Sequence, residues 1–289
     1  MGHEDAKKGL LMCAANTGID SVRRKCRINV LFLGETGLDK SGLAREGIRL
    51  VPGSKFASAA DSTTNSLICV VDGDTGHYRY GPLLTANGAM CVVDEIGLMP
   101  KEEQRRLQSA MQEGVVNFGR FGFTRNLEAS SSVILTANPD SQSGKFRYKD
   151  KIDPNEFPFL GAFKNRIDLI FIFRTNRSRD YLGNYARNKT EVMDNYSALL
   201  KKEGENYQYL VKHILRAKEF DPQFSKAAEP MINQYFENVM NLEDSDASNR
   251  LWETLRNLCY AVARLKLKNT VDTEDAKEVI EFYDRQLKY

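Results

Sequence analysis

Residues 28–41 read INVLFLGETGLDKS, and this stretch decides how the rest of the chain is read. An apolar, partly β-branched run (Ile28, Val30, Leu31, Phe32, Leu33) stops at Gly34 and turns through Gly37. It then presents Lys40 and Ser41 to GLAREGIRL, which reads as a helix. Strand, glycine loop, Lys-Ser and helix in that order are the parts of a phosphate-binding loop. Glycines let backbone N–H groups close on phosphate oxygens, and the helix N-terminus adds a positive dipole end. The lysine reaches the β- and γ-phosphates and the serine hydroxyl takes Mg²⁺. Gly34, Glu35, Thr36, Gly37, Leu38, Asp39, Lys40, Ser41 and Gly42 are therefore the candidate ATP-binding residues. The match to G-x-x-x-x-G-K-[ST] is incomplete, because Asp39 occupies the last glycine position. A carboxylate there could cost about 1–4 kcal/mol beside a triphosphate unless its side chain turns away. The bland alternative is an ordinary strand-to-helix turn that carries a lysine.

A second element is needed, and Ala89–Glu95 (AMCVVDE) supplies it. Fully apolar runs typify parallel strands covered on both faces, and ligands sit at the carboxyl ends of such strands. Asp94 would hold the Mg²⁺ shell through water, and Glu95 would orient or deprotonate the attacking water. Pro100 opens a helix, KEEQRRLQSAMQE, with Leu107, Ala110 and Met111 as its apolar stripe. A further strand, SVILTA, ends at Asn138-Pro139, and LIFIF follows Asn165-Arg166-Ile167-Asp168.

The remaining segments fill in the layout. Gly2–Cys13 reads as a short amphipathic helix without chemistry, Ala57–Ser66 as a polar loop over a strand edge, and Ser141–Asn155 as a mobile polar loop. Two hairpins are expected, at about 67–82 and 115–126. Residues 1–175 form an α/β sandwich on a parallel sheet, residues 176–206 a linker, and residues 207–289 a small all-α lid. The lid helices are read as Tyr207–Phe220, Phe224–Met240 (bent by Pro230), Ala247–Lys266 and Thr273–Lys288. ATP would lie in the cleft between the two domains.

Composition narrows the class. Of 289 residues, 42% are hydrophobic and 28% charged, as in globular proteins, and no run approaches the length of a membrane span. The net charge of +2 is too mild to indicate nucleic acid, so any such contact must come from local patches. Five scattered cysteines without a C-x-x-C pair argue against a zinc site or a disulfide framework.

Together these motifs resemble the AAA+ ATPase domain of the minichromosome maintenance (MCM) replicative helicases, over nearly the whole chain. GHEDAKKGLL is similar to that family's opening segment, and GETGLDKS to its Walker A, which usually has alanine where this chain has Asp39. CVVDEIGLMPKEEQRRLQSAMQE resembles the Walker B strand and the helix after it. The resemblance makes Asn138 of TANPD the sensor-one residue that polarises water. It makes Arg166 of NRIDLIF an arginine finger acting on a neighbour's ATP, and Arg250 of ASNRLWETLRNLCYAVARLKL the sensor-two arginine. An arginine supplied in trans is worth roughly 10³–10⁵ in rate. The alternatives are a turn cap for Asn138, a salt bridge to Asp168 for Arg166, and a surface arginine for Arg250.

The family resemblance also implies a central pore with DNA contacts on two hairpins. Arg120 beside Phe121, and Arg79 between Tyr78 and Tyr80, combine charge with π-faces as single-strand tracking requires. The implied activity is an ATP-driven DNA helicase motor working as a hexameric homo-oligomer, with archaeal-type cytoplasmic placement favoured. Two departures bear on this. ASAADSTTNSL replaces the family's GKGSSAAGLT-like tract, and neither the N-terminal DNA-binding, zinc-bearing domain nor the C-terminal winged helix is in the sequence. The chain is then a fragment or a stand-alone relative. Competing readings are a nucleotide-binding regulatory subunit without turnover, and a remodelling ATPase of chelatase or transcription-activator type. Against the activator, no GAFTGA-type loop is found.

Overall fold

β1 (Val30–Gly34) forms where the apolar run stops at glycine, and all five of its residues are buried. The computed structural model describes the chain except for residues 1–2, 20–24, 61–66, 72–76, 121–122, 142, 149–150, 160, 176–177, 179–182, 184–185, 188–189, 191–195, 243–247 and 288–289. In chain order, the strands after β1 are β2 (Lys55–Ser58), β3 (Cys69–Val71), β4 (Tyr78–Tyr80) and β5 (Met90–Asp94), then β6 (Val115–Arg120), β7 (Phe123–Glu128), β8 (Ser132–Ala137) and β9 (Leu169–Phe173). Five of the strands pair in the order β2-β5-β8-β1-β9, every neighbour parallel. The carboxyl ends of β1, β5 and β8 consequently share one edge, where Gly34, Asp94 and Asn138 leave the sheet.

Alternation along β1 explains why both faces are apolar. Val30 and Phe32 join one core cluster, Leu31 and Leu33 the other. The second cluster is closed by the helix Lys101–Glu113, through Leu107, Ala110 and Met111. The first is closed by the helices Glu4–Asn16 (α1) and Lys40–Ile48 (α2) and by the C-terminal helices. Helices on both faces of a parallel sheet make this a P-loop-type αβα sandwich, followed by a helical lid.

The opening helix keeps Glu4 and Lys7 exposed, as the amphipathic helix expected, but extends to Asn16 with its last turn wholly buried. Ala6, Gly9, Leu10, Met12, Cys13, Ala14 and Ala15 of α1 are all buried. Small residues let α1 sit deep: a Cβ on Gly9 would lie 2.5 Å from the Phe171 ring. Beyond it lie the helices Tyr196–Ala217, Ala228–Met240, Arg250–Leu265 and Thr273–Leu287. Leu251, Leu255, Leu258 and Val262 face the same cluster as Phe32 and Phe171, so the C-terminal helices are packed on the sheet layer through one continuous core.

Several boundaries shift. The first C-terminal helix is already present at Tyr196, within the stretch read as linker, much of which lies outside the described residues. Phe224 belongs to a two-residue strand, β10 (Gln223–Phe224), parallel to β11 (Thr270–Val271). The next helix starts at Ala228, and Pro230 falls in its first turn, where a missing N–H breaks no helical hydrogen bond. β2 overlaps the start of the polar loop expected at Ala57–Ser66, being four residues at the sheet edge with only Ala57 buried. Both hairpins form, β3 against β4 and β6 against β7.

The polar loop after β8 is better tied than expected among its described residues. Glu156 is fully buried. Its carboxylate accepts from Arg147 N and, at 2.9 Å, from Asp153 N, while its carbonyl accepts from Asp140 N at 2.8 Å. Arg174 Nη2 donates to Lys151 O at 2.8 Å, which fastens the same loop to the end of β9.

Candidate nucleotide site

Between β1 and α2 the loop turns through two left-handed residues, Gly37 (φ 83°) and Asp39 (φ 56°). Asp tolerates this conformation better than most side chains, by local hydrogen bonding, although glycine would adopt it freely. The Asp39 carbonyl accepts from Leu43 N at 3.0 Å and starts the helix. Its carboxylate lies across Gly42: a Cβ there would be 2.1 Å from Asp39 Oδ1. The acid therefore stays at the helix N-terminus, exposed to solvent.

Lys40 is buried, with 7% of its surface exposed, and Nζ donates to Gly34 O (2.7 Å), Glu35 O (2.9 Å) and Asn138 Oδ1 (3.0 Å). Three neutral acceptors thus take the ammonium, and the loop lysine meets the residue that follows β8. Burial pushes the ammonium down to about 8, against the opposing charges of Asp94, Glu95 and Glu35. Glu35 braces the loop from outside, accepting from Thr175 N at 3.1 Å and from Thr175 Oγ1. Burial raises its pKa, but the Thr175 and Phe146 hydrogen bonds and the Lys145 charge outweigh that and hold it below the usual carboxylate range.

Asp94, the last residue of β5, accepts from Ser41 Oγ at 2.6 Å and from Thr136 Oγ1. Thr136 Oγ1 in turn accepts from Glu95 N at 3.0 Å. The exposed Glu95 is left-handed (φ 57°), which ends β5 at the acidic pair. Ser41 hydroxyl and Asp94 carboxylate are hard oxygen donors in contact with each other, a donor set that suits Mg²⁺. The sequence reading missed Thr136. A polar residue near the end of a largely apolar strand, two positions before Asn138, was the available signal.

Arg166 and Arg250 lie elsewhere. Asp168 N donates to Asn29 O at 2.8 Å, just before β1, whereas Phe173 pairs with Gly34 at its far end. Five strand residues span about 16 Å. The two arginines accordingly sit at the opposite end of the sheet from their own phosphate loop. There they line a cleft of about 620 Å³ together with Lys25, Asp168, Trp252 and Arg256. ATP was expected in the cleft between core and lid, yet none of Gly34–Ser41 lines it. The reason is packing: the apolar stripe of Arg250–Leu265 seats that helix against α1, away from the loop. Arg250 pairs with Asp168 through Nε (3.2 Å) and Nη2 (3.3 Å). Asp168 is thus the partner of Arg250, not of Arg166, whose buried Nε has no hydrogen-bond partner among the described residues.

On the hairpins, Arg79 is exposed on β4 opposite Val70, and Tyr80 is half exposed. Arg120 ends β6 opposite Phe123, while Phe121 lies outside the described residues.

One family model, the MCM P-loop domain, matches residues 1–187, and a second, the MCM AAA-lid domain, matches residues 208–287. The chain belongs to the MCM family. Its relatives include the minichromosome maintenance protein MCM of Saccharolobus solfataricus, 26% identical over 96% of this chain and 42% of that protein. DNA replication licensing factor mcm7 of Xenopus tropicalis is 26% identical over 96% of this chain and 40% of its own length. DNA replication licensing factor mcm5 of Dictyostelium discoideum is 28% identical over 96% and 39%. This MCM chain therefore spans about two-fifths of the length of the curated relatives it matches. Archaeal and eukaryotic relatives are both present, so the archaeal-type placement expected from the sequence gains no support.

Proposed function

We propose that this MCM chain is the ATP-hydrolysing motor domain of a ring DNA helicase, with each ATP held between two adjacent copies or family members. One observation carries the reading: the residues suited to phosphate and metal stand at one end of the sheet, and Arg166 and Arg250 at the other. A complete site then needs a second chain. Lys40 would exchange its three neutral acceptors for β- and γ-phosphate oxygens, and the backbone from Gly34 to Gly42 would cradle the phosphates. Ser41 and Asp94 would hold Mg²⁺, which when bound neutralises phosphate charge. Thr136 fixes one oxygen of Asp94, Glu95 takes the proton of the attacking water, and Asn138 polarises that water. Arg166 and Arg250 of the neighbour would meet the charge that develops on the γ-phosphate.

Arg79, Arg120 and Phe121 on the two hairpins would contact DNA in a central pore. Repeated copies would concentrate positive charge despite a near-neutral chain. The replication role would place it in the nucleoid or the nucleus. Asp39 favours a second reading, a nucleotide-binding ring member with weak or absent turnover. Steady-state ATPase with and without single-stranded DNA, alongside solution mass, separates the two. DNA-stimulated turnover in an oligomer supports the motor, and ATP binding without turnover selects the other.

A further inference from the structure

Asp168 has 3% of its side chain exposed, yet four donors converge on it. Oδ1 accepts from Arg250 Nε (3.2 Å) and Thr254 Oγ1 (2.6 Å), and Oδ2 from Arg250 Nη2 (3.3 Å) and Asn29 N (2.7 Å). Four donors fill the acceptor capacity of a carboxylate. Arg250 commits one edge of its guanidinium to this contact and retains Nη1 for another acceptor. Such a fork fixes the guanidinium plane, which a lone charge would not do.

Asn29 joins the same node to Arg166. Fully buried, it donates from Nδ2 to Arg166 O at 3.0 Å and accepts at Oδ1 from Val133 N at 3.1 Å. One residue just before β1 thus sets the backbone of one cleft arginine and the carboxylate that grips the other. Thr254, one helical turn after Arg250, locks the carboxylate rotamer from the lid side.

We propose that Asp168, braced by Asn29 and Thr254, is the positioning residue that presents Arg250 to the phosphates of a neighbouring chain's nucleotide. The proposal rests on the two-chain ATP site above. Asp168 touches no nucleotide itself. It acts by removing the rotamer freedom that Arg250 would otherwise lose when it meets the phosphate. Asp168 and Arg250 should therefore behave as one unit in turnover and have no part in nucleotide binding at the chain's own phosphate loop.

The test compares wild type, Asp168→Asn, Arg250→Ala and the double variant by steady-state ATPase with single-stranded DNA. Fluorescent-nucleotide affinity is measured on each protein. Asparagine keeps the shape and removes the charge, so the double variant carries no buried unpaired aspartate, unlike Arg250→Ala alone. Asp168→Asn should lower kcat about tenfold or more, leave nucleotide affinity within about twofold, and add nothing to the loss in Arg250→Ala. If Asp168→Asn does not fold, Thr254→Val should lower kcat by about two- to fivefold and Thr254→Ser should restore it.

Wild-type turnover in Asp168→Asn beside an impaired Arg250→Ala overturns the positioning role alone. So do losses that multiply in the double variant, or a Thr254→Val protein that turns over like wild type. Full turnover in Arg250→Ala, or no turnover in the wild-type chain, overturns the two-chain reading and this inference with it.

Discussion

Asp39 stands where a phosphate loop has its last glycine, and Asp39→Asn isolates what its charge does. Asparagine keeps the size of the side chain and the tolerance for φ 56°, so the loop path is preserved. The carboxylate lies over Gly42, in the first turn of α2, the turn whose N–H groups would meet the phosphates. Two unit charges about 4 Å apart interact by about 1 kcal/mol in water and about 4 kcal/mol in a partly screened site. Asp39 is exposed, so the lower figure applies. Removing about 1 kcal/mol of repulsion tightens ATP binding about fivefold. Salt separates charge from shape, because the screening length falls from about 10 Å at 0.1 M to about 3 Å at 1 M. Equilibrium titration with a fluorescent ATP analogue and Mg²⁺ should show the gain at low salt and lose most of it at about 1 M. Equal affinity of the two proteins at low salt would refute the reasoning, and weaker binding by Asp39→Asn would mean that the acid takes part in holding the ligand.

Other outcomes follow from the same structure. Glu95→Gln should keep ATP affinity and lose turnover by about 10²–10⁴-fold, and retained turnover would remove Glu95 as the base. Arg120→Ala should weaken single-strand binding and reduce the salt slope by about one per chain, whereas an unchanged slope would dismiss the pore contact. Lys218 is held down to about 8 by burial, with the charges of Cys13 and Arg264 acting in opposite senses. The unfolded chain binds that proton more tightly, so the penalty is full below pH 8 and stability should rise between pH 8 and 10.5. Lys218→Met should raise unfolding free energy at neutral pH by about 1–3 kcal/mol and remove that rise, as read by denaturant melts across pH.

The phosphate loop and the acidic strand end were legible because local order alone specifies them. VLFLG before a glycine turn and CVVD before glutamate need no distant partner to form a strand that delivers chemistry at its end. β2 was not legible, since KFAS is short, lies at the sheet edge and buries one side chain. The depth of α1 was hidden by its Ala, Gly and Cys residues, which carry little hydrophobic signal yet allow close packing. Arg166 and Arg250 stood out as residues, but not their location. Arg250 is placed by Asp168, 82 residues away, and by helix packing that no local pattern encodes. Thr136 was overlooked for the same reason, its role depending on β5 and β8 being neighbours.

The claim that matters most is that one chain's phosphate loop works with the next chain's arginines. Mixing Lys40→Ala protein with Arg166→Ala protein tests it directly, each being inactive alone on this account. The mixture should recover DNA-stimulated ATPase, because an intact loop in the second faces an intact arginine in the first. A mixture that co-assembles by mass and still shows no turnover would contradict the two-chain site.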